Sequence, residues 1–69
     1  MGLESTIGEK LSDLRNDRKM TLNDVAKRSK LSVSTISGYE NGKNPPTHES
    51  LVKLLAVYGV TIDEFYGIK

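Results

Sequence analysis

The chain has 69 residues, no cysteine, and ten lysine and arginine residues against nine aspartate and glutamate residues. This length suits one small domain over residues 1–69, and the lack of cysteine excludes disulfide bridges and cysteine-ligated metals. The chain contains neither an apolar run of the roughly 18 residues that a membrane span needs nor the apolar core of a secretory signal. We therefore expect a cytoplasmic protein that does not associate with membranes.

Signals for helix starts and ends recur along the chain. Three threonines precede an acidic residue by three positions, which is the spacing of a capping box. The pairs are Thr6 with Glu9, Thr21 with Asp24, and Thr61 with Glu64. Ser32 and Thr47 are further candidates for N-caps. Glycines stand where a left-handed residue would end a helix, at Gly42, Gly59 and Gly67.

Apolar residues between these signals repeat with a helical period. They predict helices near 5–19, 22–29 and 48–58, with a third helix after Ser32 and a brief fifth from Ile62. The loop "GKNPPT" follows the third helix, since two prolines cannot continue it. No stretch shows the alternation of a strand. The sequence therefore predicts an all-α domain of five short helices.

The second and third predicted helices are joined by a turn of about four residues, "SKLS" at 29–32. Such a pair is a helix-turn-helix, but an ordinary corner between two helices has the same spacing. The residues on the two faces of the third helix help to choose between these interpretations. Ile36 and Glu40 fall on the inner face, whereas the outer face is small, polar and uncharged. We place on that outer face Val33, Ser34, Ser37, Gly38 and Asn41. Small side chains allow close approach, and the major groove of DNA admits an α-helix.

Three stretches together resemble the helix-turn-helix domain of the phage repressor and Cro family. They are "IGEKLSDLR" (7–15), "TLNDVAKRSKLSVSTISGYENGK" (21–43) and "LVKLLAVYGVTIDEFYG" (51–67). The resemblance implies a compact five-helix, lambda repressor-like fold. It also implies a transcriptional regulator that binds double-stranded operator DNA as a dimer, and so a nucleoid-associated protein. We also expect no enzyme activity, no cofactor and no small-molecule ligand.

The family's functional positions can be placed on this sequence one by one. Those that contact bases fall on Ser32, Val33, Ser34, Ser37 and Gly38. Those that contact phosphates fall on Thr21, Thr35, Asn41, Lys43 and Asn44. A buried ion pair of the family falls on Arg15 and Glu40. Two positions depart from the family: Leu22 stands where a phosphate-binding glutamine is common, and Lys30 stands where the turn often has glycine.

The last ten residues contain five large apolar side chains, more than a core of this size is expected to hide. We expect a homodimer interface formed by Val60, Ile62, Phe65, Tyr66 and Ile68. A dimer would bind a near-palindromic operator, with half-sites about one DNA turn apart. We expect the protein to act as a repressor.

Several residues allow other interpretations. His48 is a surface residue unless further ligands make a metal site, and Ser34 and Ser37 lack the adjacent base of a hydrolase. Tyr39 either packs in the core or stacks on a base, with packing favoured. The basic run at 26–30 is a solvated face or approaches a phosphate. The alternative function is a protein-interaction or antitoxin-like module on the same fold.

Overall fold

The helices of the protein begin and end close to the signals in the sequence. The computed structural model describes residues 6–67, which contain five helices and no strand. The helices are α1 (Ile7–Asp17), α2 (Leu22–Ser29), α3 (Val33–Glu40), α4 (His48–Tyr58) and α5 (Ile62–Tyr66). The predicted all-α fold is therefore confirmed. No helix of this part of the chain has the length and apolar character needed to cross a bilayer.

Side-chain caps explain where the helices start. The three predicted capping boxes are complete, on α1, α2 and α5. In each box the threonine hydroxyl accepts the N–H of the third helical residue at 3.1 Å, and that residue's carboxylate accepts the threonine N–H at 2.9 Å. Ser32 and Thr47 cap α3 and α4 through their hydroxyls alone. The first-turn N–H groups that these side chains satisfy would otherwise lack a partner.

The first helix is shorter than the predicted range of 5–19, of which residue 5 lies outside the described residues. It ends at Asp17, where the N–H of Arg18 bonds to the carbonyl of Arg15 at 3.1 Å. Lys19 then takes a left-handed conformation with φ of 56°. No sequence signal marks this end, because left-handed lysine is uncommon. Gly42, Gly59 and Gly67 do have the predicted positive φ, between 73° and 78°.

The core lies where the apolar faces of all five helices meet. It consists of Leu11, Val25, Ile36, Tyr39, Leu51, Leu54, Leu55, Tyr58 and Phe65. The second helix packs against both α3 and α4, whereas α3 also packs against α1. The third helix is thus held between α1 and α2.

A close approach between backbones fixes α1 against the end of α3. Gly8 is buried in the first turn of α1. A Cβ atom at this position would lie 2.7 Å from the carbonyl oxygen of Glu40 and closer still to that of Tyr39. Real Cβ atoms do not approach backbone that closely, so glycine is required for this packing.

Candidate nucleic-acid interface

Residues 30–32 connect α2 to α3 through a sharp turn. Lys30 ends α2 in the left-handed conformation, with φ of 66° and ψ of 21°. Ser29 is buried, and its hydroxyl accepts the N–H of Leu31 at 3.2 Å. Lys30 therefore adopts a left-handed geometry that glycine reaches more readily. Its backbone carries strain that a glycine would not have.

The third helix turns an apolar side inward and a small polar side outward. Ile36 is 1% exposed and Tyr39 is 8% exposed, so Tyr39 packs in the core. Ser34 is exposed on the other side, and Val33 is half-buried. Glu40 points to α1, where it is paired with Arg15. The outward side of α3 is therefore free of acidic side chains.

Hydrogen bonds decide which hydroxyls on this face are available. The Ser32 hydroxyl accepts the N–H of Thr35 at 3.0 Å and donates to the Thr35 hydroxyl oxygen at 2.7 Å. The Ser37 hydroxyl oxygen, half-buried, accepts from the Asn41 side-chain amide at 3.2 Å. No side-chain hydrogen bond involves Ser34 within residues 6–67. Ser34 is therefore the hydroxyl most open to a ligand.

The prediction that Gly38 lies open on the outer face is wrong. Gly38 is buried, and its carbonyl accepts the N–H groups of Lys43 at 2.9 Å and of Asn44 at 3.4 Å. A Cβ atom at Gly38 would lie 3.2 Å from the side-chain nitrogen of Asn44. The chain after α3 folds back over this glycine, so its backbone is covered within the domain.

The loop that covers Gly38 carries the predicted phosphate contacts. Asn41, Lys43 and Asn44 are all exposed next to the end of α3. Thr21 is exposed at the start of α2, and Thr35 is half-buried beside the cap of α3. The predicted phosphate-contacting residues therefore lie at the starts of α2 and α3, at the end of α3 and in the loop that follows it.

The start of α2 is less attractive to an anion than an ordinary helix N-terminus. The Asp24 carboxylate accepts the backbone N–H of Thr21 at 2.9 Å. Hydrogen bonding with Thr21, first with its backbone and then with its side chain, lowers the pKa of Asp24 below its usual range. The ionised carboxylate therefore offsets the positive end of the helix dipole. Leu22, the first residue of α2, is half-buried and offers no polar side chain to an anion.

Arg15 and Glu40 meet in a two-point ion pair between α1 and α3. Arg15 Nε lies 2.8 Å from Glu40 Oε2, and Arg15 Nη2 lies 2.9 Å from Glu40 Oε1. The side chains are 17% and 8% exposed, respectively. Hydrogen bonding to Glu40 raises the pKa of Arg15 above its ordinary value. A third bond, from Arg15 Nη1 to the Met20 carbonyl at 3.0 Å, ties the pair to the segment before α2.

Two residues that position the site were missed from the sequence. Gly8 sets the distance between α1 and α3, and its signal was a glycine inside a helical pattern. Arg18 donates from Nε to the Tyr58 carbonyl at 2.8 Å and from Nη1 to the Leu14 carbonyl at 3.0 Å. An arginine beyond the last apolar residue of α1 gives no local sign of a contact 40 residues away.

The expected dimer surface is only partly exposed. Phe65 is 6% exposed and belongs to the domain's own core, so its assignment to an interface between subunits is corrected. It is buried because α5 packs against α4 and the Lys10 ammonium lies over its ring. Tyr66 is 45% exposed, Val60 and Ile62 are half-buried, and Ile68 lies outside the described residues.

No group of acidic, histidine or cysteine side chains in residues 6–67 is arranged to hold a metal ion. His48 is exposed in the first turn of α4. Ser34 and Ser37 have no histidine beside them in the sequence or among their hydrogen bonds.

Two short helices, a tight turn and an outward polar face on the second helix define a helix-turn-helix domain. The sequence model of the helix-turn-helix family matches residues 11–65, and the chain belongs to that family. This match confirms the resemblance seen in the sequence motifs.

The chain is similar to transcriptional regulators from several bacteria. It is 37% identical to the HTH-type transcriptional regulator DdrOP3 of Deinococcus deserti over 65 aligned residues, covering 86% of this chain and 50% of the relative. It is 41% identical to the HTH-type transcriptional repressor RghR of Bacillus subtilis, covering 74% of this chain and 38% of the relative. It is 39% identical to the HTH-type transcriptional activator BcrR of Enterococcus faecalis, covering 81% of this chain and 28% of the relative. The chain thus spans half or less of the length of these relatives.

Proposed function

We propose that the chain binds double-stranded DNA with α3 in the major groove and so regulates transcription. The observation that carries this proposal is the outward face of α3, where an exposed serine and a half-buried valine stand without any acidic side chain. DNA phosphates repel carboxylates, and a helix with small side chains can approach base edges closely. Membership of the helix-turn-helix family and similarity to proteins named as transcriptional regulators support the same function.

Direct reading of bases is expected to be weak. No arginine, lysine, glutamine or asparagine stands among Ser32, Val33, Ser34 and Ser37, so bidentate contacts to a base are absent from these positions. A good bidentate contact discriminates by about 1–3 kcal/mol, and a single hydroxyl should give less. Ser34 is the best candidate for a hydrogen bond, and Val33 for contact with a thymine methyl. Much of the specificity should then come from DNA shape.

Phosphate contacts supply the remaining affinity. Asn41, Lys43 and Asn44 are exposed beside α3, and the Gly38 carbonyl holds the backbone of the last two. A loop fixed in this way loses little entropy when it binds. Lys43 is the cation of this set, so its removal should weaken binding to every DNA sequence.

We further propose a homodimer on a near-palindromic operator. Tyr66, Ile62 and Val60 remain as apolar surface near the C-terminal end of the described residues. The longest dimension of the domain is 31 Å. Half-sites of helix-turn-helix dimers lie about 34–36 Å apart, so two copies fit side by side on one face of DNA.

We propose that the protein represses transcription. It acts in the cytoplasm, at the nucleoid. The relatives include a protein named as a repressor and one named as an activator. Repression needs only that a dimer cover promoter DNA, whereas activation also needs a favourable contact with the transcription machinery. A reporter gene carrying the selected operator at its promoter should therefore be expressed less when the protein is present.

Selection from a random DNA pool tests the proposal. Bound fragments should share a near-palindromic sequence, and Ser34→Glu should abolish their binding because a carboxylate then meets the DNA. Val52→Glu, with the same charge on an exposed part of α4, is the matched control and should bind normally. If no fragments are enriched, or if both variants bind alike, the chain does not use α3 for DNA.

Sedimentation tests the dimer separately. Tyr66→Glu should shift the protein from dimer to monomer in solution and weaken operator binding, whereas Val52→Glu should change neither. A wild-type chain that stays monomeric at high concentration, free and on DNA, would contradict the dimer.

A further inference from the structure

A basic cleft opens between the end of α2 and the middle of α4. Its volume is about 510 Å³. The residues around it are Arg28, Ser29, Lys30, Lys53, Ala56 and Val57. None of them belongs to α3 or to the loop that carries Lys43. The cleft therefore lies outside the surface proposed for DNA.

Three cations border this cleft, and two exposed carboxylates lie near them, Asp24 near Arg28 and Glu49 near Lys53. Arg28 and Lys30 are exposed, and neither forms an ion pair within residues 6–67. Lys53 lies 3.9 Å from Glu49, but the two side chains are 47% and 82% exposed. An exposed pair of this kind contributes little to stability, and Lys53 can readily exchange Glu49 for another carboxylate. The cleft thus concentrates positive charge in a chain whose net charge is only +1.

The cleft also has an apolar part on α4. Ala56 is exposed and Val57 is half-buried. A DNA backbone would use the cations alone, because phosphates gain nothing from alanine and valine. A ligand with both carboxylates and an apolar side chain would use the whole cleft.

We propose that this cleft binds an acidic peptide segment of a partner protein, with an apolar side chain between its carboxylates. The carboxylates pair with Arg28, Lys30 and Lys53, and the apolar side chain covers Ala56 and Val57. The surfaces of α3 and of the loop after it remain free, so the peptide and DNA bind the same molecule together. The proposal does not depend on DNA binding.

The test uses the full chain and a short synthetic peptide in which an acidic residue, aspartate or glutamate, alternates with leucine. Its control peptide replaces every acidic residue by its amide. Titration followed by amide NMR shifts should show binding of the acidic peptide only, with shifts at Arg28, Lys30 and Ala56. A second control, with serine in place of leucine, should bind more weakly because the α4 contact is lost.

Variants separate this surface from general charge attraction. Arg28→Gln and Lys53→Gln should each weaken peptide binding, by up to about fivefold for an exposed charge pair. Lys19→Gln, which removes an exposed charge elsewhere, should leave the peptide affinity unchanged.

Three results would overturn the proposal. The first is equal binding of the acidic and amide peptides. The second is a loss of peptide affinity in Lys19→Gln as large as that in Arg28→Gln. The third is displacement of the peptide by DNA together with weaker DNA binding by Arg28→Gln, which would make the cleft a phosphate-binding surface.

Discussion

Arg15 binds both carboxylate oxygens of Glu40 and the carbonyl of Met20, so one side chain joins α1, α3 and the segment before α2. Removing one partner of a buried pair leaves the other charge unpaired, at about 3–5 kcal/mol. Because Arg15 is 17% exposed, we expect Arg15→Leu to cost about 3 kcal/mol, at the lower end of that range. This is a large share of the stability of a small domain.

Denaturant unfolding of the two single variants and the double variant checks this prediction. Arg15→Leu and Glu40→Leu should each be strongly destabilising, and the double variant should cost less than their sum. If both single variants unfold at the wild-type midpoint, the ion pair does not stabilise the domain.

Tyr58 presents the opposite case, a polar atom whose loss should be harmless. Tyr58 is 4% exposed, and its buried hydroxyl has no hydrogen-bond partner among the described residues. A buried unsatisfied group costs about 1–3 kcal/mol. Tyr58→Phe should therefore unfold at the same or a higher denaturant concentration than the wild type. A loss above about 1 kcal/mol would show that the hydroxyl is bonded after all.

The same hydroxyl makes stability depend on alkaline pH. Burial, and next the charge of Glu40, raise the pKa of Tyr58 from 10.0 to about 12. The unfolded chain therefore loses this proton at lower pH than the folded chain does. The folding stability that is linked to the neutral Tyr58 hydroxyl is present below pH 10 and is lost as the pH rises to about 12. Melting curves over this range should fall less for Tyr58→Phe than for the wild type; equal slopes would contradict the assignment.

Between elements, the contact of α1 with α3 depends on the absence of a side chain at Gly8. Alanine is the better helix former, yet its Cβ would meet the carbonyls of Tyr39 and Glu40. Overpacking of this kind typically costs about 1–3 kcal/mol. Gly8→Ala should accordingly lower the thermal midpoint, while Asp13→Ala, an exposed change in the same helix, should be neutral or stabilising. A stabilised Gly8→Ala would mean that α1 and α3 can separate without cost.

The turn between α2 and α3 contains strain that a glycine would remove. Left-handed backbone costs a non-glycine residue about 1–2 kcal/mol, and the greater freedom of unfolded glycine offsets about half of that. Lys30→Gly should thus raise stability by up to about 1 kcal/mol. Lys27→Gly lies in the regular part of α2 and should lower it by about the same amount. Equal losses in the two variants, measured by denaturant unfolding, would show that Lys30 is not strained.

Local chemistry determined how much of the fold could be predicted. The bounds of α2 and α4 were predicted correctly because each helix starts and ends at residues that bond to close neighbours in sequence. Gly38 and Phe65 were misplaced because their burial depends on segments that fold back from elsewhere. The left-handed Lys19 and the contact of Arg18 with α4 likewise have no local signal.

Across the whole molecule, the described charges fall on separate surfaces. Arg15 is paired with Glu40 inside the domain, Arg28 and Lys30 border the cleft between α2 and α4, and Lys43 stands beside α3. The proposed DNA surface therefore has few cations, and each phosphate contact should be visible as a separate change in salt dependence.

In the proposed complex, α3 faces DNA and the loop after it supplies much of the affinity. The affinity for selected and scrambled DNA, measured at several salt concentrations, tests this division of roles. Ser34→Ala and Ser37→Ala should cause small losses, on the selected sequence only. Lys43→Ala should weaken both DNAs alike and reduce the salt slope by about one per subunit. If Ser34→Ala or Ser37→Ala abolishes discrimination while Lys43→Ala changes neither affinity nor salt slope, the claim is contradicted.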